Sequence, residues 1–252
     1  MKSLAIGLFL MLFSVSAFAT GWDEGYYFGF SRGTASLNYD VEGALDDYIN
    51  KSGYRLYVDV LETVGYPIEM NTDFTSQTTK FIIGKKLNDF WGVELIYENL
   101  GKYTANAGVE INGRREWGER YIEAGAFAKA GAVANVSAFS ASFLGKIPVY
   151  KDYVFMYNRL GAAYMSARVS TTVQYGYSYG YDTDYEDYRG GDSVVTTKKD
   201  SYNVNSILPY VGVGLGVNVT KNVTMRVEYS RYGDFRNDSN ISSTVVELLY
   251  NF

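Results

Sequence analysis

Apolar and polar residues alternate along eight stretches of this chain, and in three of them the alternation is clear enough to assign faces. In 208–219, Val211, Val213, Leu215 and Val217 fall on one side, with Tyr210, Gly212, Gly214 and Gly216 opposite. In 223–232, Val223, Met225, Val227 and Tyr229 oppose Thr224, Arg226, Glu228 and Ser230. In 91–100, Trp91, Val93, Leu95 and Tyr97 oppose Gly92, Glu94, Ile96 and Glu98. Successive side chains of a β-strand point to opposite faces, so each stretch reads as a strand with one apolar face and one mixed face. Further strands are predicted at 26–37, 78–87, 132–146, 153–168 and 243–252, with weaker contrast in 132–146 and 153–168. The final one carries Val246, Leu248, Tyr250 and Phe252 on one face and Val245, Glu247, Leu249 and Asn251 on the other.

Three connections are short: Asn88-Asp89, Pro148 to Asp152, and Thr220-Lys221-Asn222. The other four, 38–77, 101–131, 169–207 and 233–242, are long. Short and long alternate strictly, which puts every short turn at one end and every long loop at the other. That alternation, with an even strand number, predicts an all-β fold: a closed, antiparallel, eight-stranded, up-and-down transmembrane β-barrel. Parity alone does not say which face is outside, because a soluble barrel would bury the Val/Leu face. Three features favour an apolar exterior. Glycines crowd the polar face, as a narrow lumen filled by larger neighbours requires. Apolar stripes end in Trp91, Tyr97, Tyr229 and Tyr250, as aromatic girdles do. Closure also removes the open edge that hydrocarbon forbids. Arg32 resists: if Gly29 and Gly33 face the lumen, it points to lipid, where a mid-membrane arginine costs roughly 2–4 kcal/mol. Snorkelling at an interface and a register-shifting bulge are both open.

Composition narrows the rest. Lys2, the apolar run 4–13 and Ala17-Phe18-Ala19 have the order of a secretory signal peptide, predicted at 1–19, with one barrel domain at 20–252. No later run of about eighteen apolar residues occurs, which excludes helical membrane spanning. Aromatic residues make up 17% of the chain, and 25 Tyr and 26 Gly against 3 Pro suit many strands with amphipathic rims. The chain contains neither cysteine nor histidine. That removes disulfides, thiolate sites, and the commonest general base and metal ligand. A net charge of −5 argues against a nucleic-acid partner. No cofactor is expected.

The polar faces carry Lys80, Glu94, Glu98, Arg159, Arg226, Glu228 and Glu247. An eight-stranded interior is only about wide enough for its side chains. An unpaired charge there is costly, so Arg159 and Arg226 are expected to pair with Glu94, Glu228 or their neighbours. Two uses stand: a structural ion-pair network that plugs the lumen, and a gate whose rearrangement admits ions. In the 169–207 connection, Tyr175, Tyr177, Tyr179 and Tyr181 alternate and are candidates for a recognition surface, able to extend the fifth strand above the bilayer. Asp182, Asp184, Glu186 and Asp187 follow without EF-hand spacing, so a solvated acidic loop is expected rather than a Ca²⁺ or Mg²⁺ site. Val41, Leu45, Tyr48 and Ile49 share a helical face, predicting a short helix over 41–50. The first long loop is acidic while Lys85, Lys86, Lys146, Lys151 and Lys221 sit at the short turns. That contrast places long loops outside the cell, and short turns with both termini in the periplasm.

Several of these segments resemble a known family. Tyr27-Phe28-Gly29-Phe30-Ser31-Arg32-Gly33 opens like the first strand of OmpA-type eight-stranded barrels. Trp91-Gly92-Val93-Glu94-Leu95 with Tyr97-Glu98-Asn99-Leu100-Gly101-Lys102 is similar to their third strand, and Arg159-Leu160-Gly161-Ala162-Ala163-Tyr164 to their fifth. Leu144-Gly145-Lys146-Ile147-Pro148-Val149 resembles their second periplasmic turn. Pro209-Tyr210-Val211-Gly212-Val213-Gly214-Leu215-Gly216 and Arg226-Val227-Glu228-Tyr229 resemble strands six and seven. The likeness runs from about 25 to 252 and is closer to stand-alone barrels, since no peptidoglycan-binding segment follows Phe252 in this sequence. It implies a non-enzymatic integral outer-membrane protein that contributes to envelope structure and presents loops outside. A small pore and a surface adhesin are the alternatives. It also implies that Leu248, Tyr250 and Phe252 form the signal read by the barrel-assembly machinery. Its surroundings would be outer-membrane lipid and lipopolysaccharide, and a monomer is expected. Outer-membrane acyltransferases, deacylases and omptin-like proteases rely on histidine, so no enzyme is expected and no catalytic residue is assigned.

Overall fold

The computed structural model describes residues 25–38, 69–117, 120–151, 153–183, 188–233 and 240–252. The predicted signal peptide and the helix predicted over 41–50 lie outside these residues. Every described element is a strand: β1 (Tyr26–Asn38), β2 (Glu69–Asp73), β3 (Thr75–Lys86), β4 (Trp91–Trp117), β5 (Arg120–Tyr150), β6 (Val154–Thr183), β7 (Tyr188–Asn218), β8 (Val223–Gly233) and β9 (Asn240–Asn251). β2 and β3 flank Phe74 and pair successive parts of β4, so they act as one stave. Each stave pairs antiparallel with the next, and β9 returns to β1 over twelve residue pairs. The ring has eight staves and is closed.

Short turns gather at one end. Lys86 donates its backbone N–H to Gly25, Lys146 to Phe90, Asn218 to Tyr153 and Asn251 to Asn222, at 2.7–2.8 Å. Phe252 N–H reaches Tyr26 O at 3.1 Å, so the two outermost strands finish at this end as well.

The ladder also fixes the depth of each residue. Starting at Phe30, cross-strand partners run through Phe81, Tyr97, Phe139 and Tyr164 to Ile207 on β7. The same start taken the other way runs through Leu248 and Met225 to Val217 on β7. One circuit therefore climbs ten residues, from Ile207 to Val217. This stagger is the shear that sets strand tilt and barrel width.

Outward positions form the predicted apolar band. Phe143 is 64% exposed and Ile207 75%, an arrangement suited to hydrocarbon rather than water. The row Phe30, Phe81, Tyr97, Phe139 and Tyr164 is a continuous aromatic girdle across five neighbouring staves. The next outward position beyond the apolar stripe is Arg32, Thr79, Asn99, Ser137, Ser166, Asn205, Arg231 and Thr244 on successive staves. Every one of them is polar, which marks the far boundary of the membrane band. Arg32 lies on this boundary. Its strand keeps an unbroken register with both neighbours, and its Nη2 donates to Gln77 Oε1 at 2.6 Å. There is no bulge; the guanidinium sits one rung outside the girdle, where it can remain wet.

Four boundaries predicted from sequence are corrected. The regions 101–131 and 169–207 are not long loops, because β4 to β7 continue through them with 27, 31, 30 and 31 residues. Strand structure also begins at Glu69, before the predicted 78. The second short turn is tighter than predicted, since β5 keeps Pro148 and continues to Tyr150 across a register irregularity. The result is a sheet of β4 to β7 standing beyond the girdle, with β2 paired to the base of its β4 edge. On this sheet the two faces exchange polarity. The face continuing the lumen carries Ala107, Val109, Ile111, Ala126, Ala128, Val173, Tyr175, Tyr177 and Val194. The face continuing the lipid side carries Asn106, Glu110, Lys129, Gln174, Ser178 and Thr197. A bulge at Asn99/Gly101 brings β4 into phase with this change, with Gly101 at φ 91°, a conformation that glycine adopts without strain.

Candidate functional site

The barrel interior is filled by side chains that strand parity alone turns inward. Glycines make the room. A Cβ at Gly84 would lie 2.2 Å from the Tyr27 ring, and one at Gly216 equally close to Phe155. Among these rings lie Lys80, Glu94, Glu98, Arg159, Arg226, Glu228 and Glu247, none more than 2% exposed. All seven sequence candidates thus come together in one cluster, built from β3, β4, β6, β8 and β9.

Arg159 is its hub. It contacts Glu94 through Nε and Glu228 through Nη1, and it forks onto Glu247 with Nη1···Oε1 at 2.9 Å and Nη2···Oε2 at 3.1 Å. Arg226 bridges the same two flanks, Nη2 to Glu94 Oε1 at 3.0 Å and Nε to Glu247 Oε2 at 2.8 Å. Lys80 Nζ lies 2.8 Å from Glu228 Oε1 and 3.3 Å from Glu98 Oε2. The cluster holds three cations and four carboxylates, so it is one positive charge short. Hydroxyl donors fill the difference: Tyr27 to Glu94 at 2.6 Å, Tyr210 to Glu228 at 3.1 Å, Thr78 to Glu98 at 2.8 Å, and Tyr232 to Glu98. Sequence reasoning missed these hydroxyls. They share inward parity with the charges, which is the signal that would have found them. Buried polar groups are tolerable when paired in this way, whereas removing one partner leaves a stranded charge.

The network lies under an apolar layer. Leu100, Tyr103, Val136, Ala138, Met165 and Ile241 are buried around the stacked pair Tyr210 and Tyr232, whose ring centroids are 4.8 Å apart. On the short-turn side, Leu144, Phe155 and Tyr157 form a second cluster.

The remaining sequence candidates are elsewhere. Tyr175, Tyr177 and Tyr179 lie in β6, the fifth stave, which extends beyond the girdle as their alternation allowed, and they share one face of the protruding sheet. Their cross-strand partners on β5 are Ala128, Ala126 and Ala124, so three rings stand beside a column of methyl groups. Tyr181 continues the strand, paired with Ile122 and Gly190. The acidic residues 184–187 lie outside the described residues. Among the described residues, no group of three acidic side chains is placed to hold a metal ion. Leu248 and Tyr250 face outward on β9, and the Phe252 ring lies 5.7 Å from Phe28 and 5.4 Å from Tyr250.

No family model and no curated protein matches the chain. Among solved structures it is similar to Ail, the attachment invasion locus protein of Yersinia pestis, in complex with the heparin analogue sucrose octasulfate. That match has 15% identity and a TM-score of 0.34, covering 91% of this chain and 100% of that one. It is also similar to the N-terminal β-barrel domain of Pseudomonas aeruginosa OprF, with 9% identity, TM-score 0.40, and 91% and 98% of the two chains covered. Neisserial surface protein A matches at 12% identity and TM-score 0.41, with 90% and 97% covered. These are small outer-membrane barrels. The fold of this chain rests on its own closed ring of strands.

Proposed function

We propose that this chain is a non-enzymatic integral protein of a bacterial outer membrane, a plugged barrel that contributes to envelope structure and holds a rigid sheet outside the cell. The observation that carries this reading is the mutually paired charge cluster that fills the middle of the lumen. The seven buried charged side chains pair with one another, and an apolar layer around Tyr210 and Tyr232 lies over them. The charge asymmetry read from the sequence supports the orientation, with lysine-bearing short turns toward the periplasm and the protruding sheet outside. Lipid and lipopolysaccharide would then meet the outward boundary residues, Arg32 and Arg231 among them. The barrel-assembly machinery would read Leu248, Tyr250 and Phe252.

Cell fractionation with a gel comparison of boiled and unboiled protein tests the placement: a heat-dependent mobility shift in the outer-membrane fraction is expected. Planar bilayers test the plug. The protein is expected to be electrically silent. Steady openings altered by Arg226→Ala or Glu94→Ala would replace this reading with a small pore.

A further inference from the structure

The lumen is not uniform along its length. At the short-turn end it opens into a cavity of about 640 Å³, floored by Arg226 and walled by the turns between strands. Lys86, Lys146, Lys151 and Lys221 line it, and Asp89 is the single carboxylate among the described lining residues. Two of these lysines are placed by strand parity. Lys86 follows Lys80, Ile82 and Gly84 on the inward side of β3, and Lys146 follows Ser142 and Leu144 on the inward side of β5. The neighbouring Lys85 shows the contrast. It faces outward, with Nζ 4.4 Å above the Tyr26 ring and 3.1 Å from its hydroxyl.

The lysines of the cavity differ from the deeper cations in a second respect. Lys80, Arg159 and Arg226 each contact at least two carboxylates. Among the described residues, none of the four cavity lysines has a carboxylate in ion-pairing range; Lys146 Nζ instead lies 4.5 Å over the Phe155 ring. Lys151 closes its turn at φ 46°, a left-handed conformation more easily taken by glycine or asparagine. Convergent like charges in a concavity with low-dielectric walls focus a field that favours an anion. The volume is that of a small-molecule site, and the aromatic walls Trp91, Tyr153 and Phe155 give it an apolar side.

We infer that this vestibule is a binding site for a phosphate-bearing anion entering from the short-turn side. The same chemistry is offered by a soluble phosphorylated molecule and by the headgroup of an anionic phospholipid in the adjacent leaflet. The inference does not depend on what the protruding sheet does.

Trp91 lines the cavity and reports on it. In a Trp22→Phe/Trp117→Phe background, the full chain folded in phosphate-free zwitterionic detergent is titrated with inorganic pyrophosphate. A saturable change in Trp91 fluorescence is expected. Lys86→Gln/Lys146→Gln/Lys221→Gln should weaken it by about tenfold or more, equivalent to about 1.4 kcal/mol, while Lys85→Gln leaves it unchanged. All variants should keep their heat-dependent gel shift, which separates lost binding from lost folding. Absence of a saturable change, or equal weakening by Lys85→Gln, would overturn the site in favour of diffuse surface charge. Repeating the titration in nanodiscs separates the two sources. If phosphatidylglycerol abolishes the pyrophosphate response seen in phosphatidylcholine, the occupant is a lipid headgroup. If it does not, the occupant is soluble; both outcomes support the site.

Discussion

Arg159 touches Glu94, Glu228 and Glu247, more carboxylates than any other lumen cation contacts. Arg159→Met is therefore expected to be the most damaging single change in the lumen, at about 3–5 kcal/mol. Urea unfolding in detergent, followed by the mobility of unboiled samples, measures it. Adding Glu228→Gln should recover part of the loss, because fewer stranded charges remain. Gly216→Val tests packing instead of charge: the new Cβ collides with Phe155, costing roughly 1–3 kcal/mol. Phe155→Ala in the same chain should offset much of that cost by vacating the space. At this scale the sequence was informative about side but not about depth. Parity turned all seven charges inward without help. Arg32 stayed ambiguous because its depth depends on Thr79, Asn99 and Ser137, residues on other strands that only the pairing register brings alongside.

The elements were legible inside the membrane band, and beyond it only the tyrosine alternation of the fifth stave hinted at strand, for one physical reason. Between the girdle and the short turns, water and lipid are on fixed sides, so alternation has one phase. On the protruding parts of β4 to β7 the apolar residues move to the opposite face, and Ser, Thr, Gly and Ala dilute the contrast. Tyr175, Tyr177 and Tyr179 alternate, yet they continue the line of Tyr157 and Arg159 rather than of Leu160 and Tyr164. A reading that follows one apolar stripe loses the strand there. The pairing register shows how to remove this sheet cleanly. Val109 pairs with Ala128, which pairs with Tyr175, which pairs with Thr196. Replacing 110–127 and 176–195 by Asn-Gly turns joins cross-strand partners through two-residue hairpins. The shortened protein is expected to keep its heat-dependent gel shift, since no lumen residue is touched. If the tyrosine face is a recognition surface, adhesion of cells displaying it to host matrix should fall with Tyr175→Ser/Tyr177→Ser/Tyr179→Ser, and fall as far in the shortened form. Undiminished adhesion in both would remove the sheet from that role.

For the whole molecule, the circuit that climbs ten residues on β7 carries a consequence about size. With strands about 4.8 Å apart and about 3.3 Å of rise per residue, that climb over eight staves tilts them by about 40° and gives a radius of about 8 Å. The figure is set by counting, and a count cannot drift. Thermal motion can rattle the wall, but it cannot widen it by a fraction, because the next permitted diameter requires a whole seam of hydrogen bonds to break and re-form elsewhere. A slip by a single residue is worse still, since it exchanges the two faces of the slipped strand and presents Glu247 or Arg226 to hydrocarbon. The bore is therefore quantised. Any ion that crosses this protein must find its way by the rotation of side chains inside a frame that arithmetic has already closed.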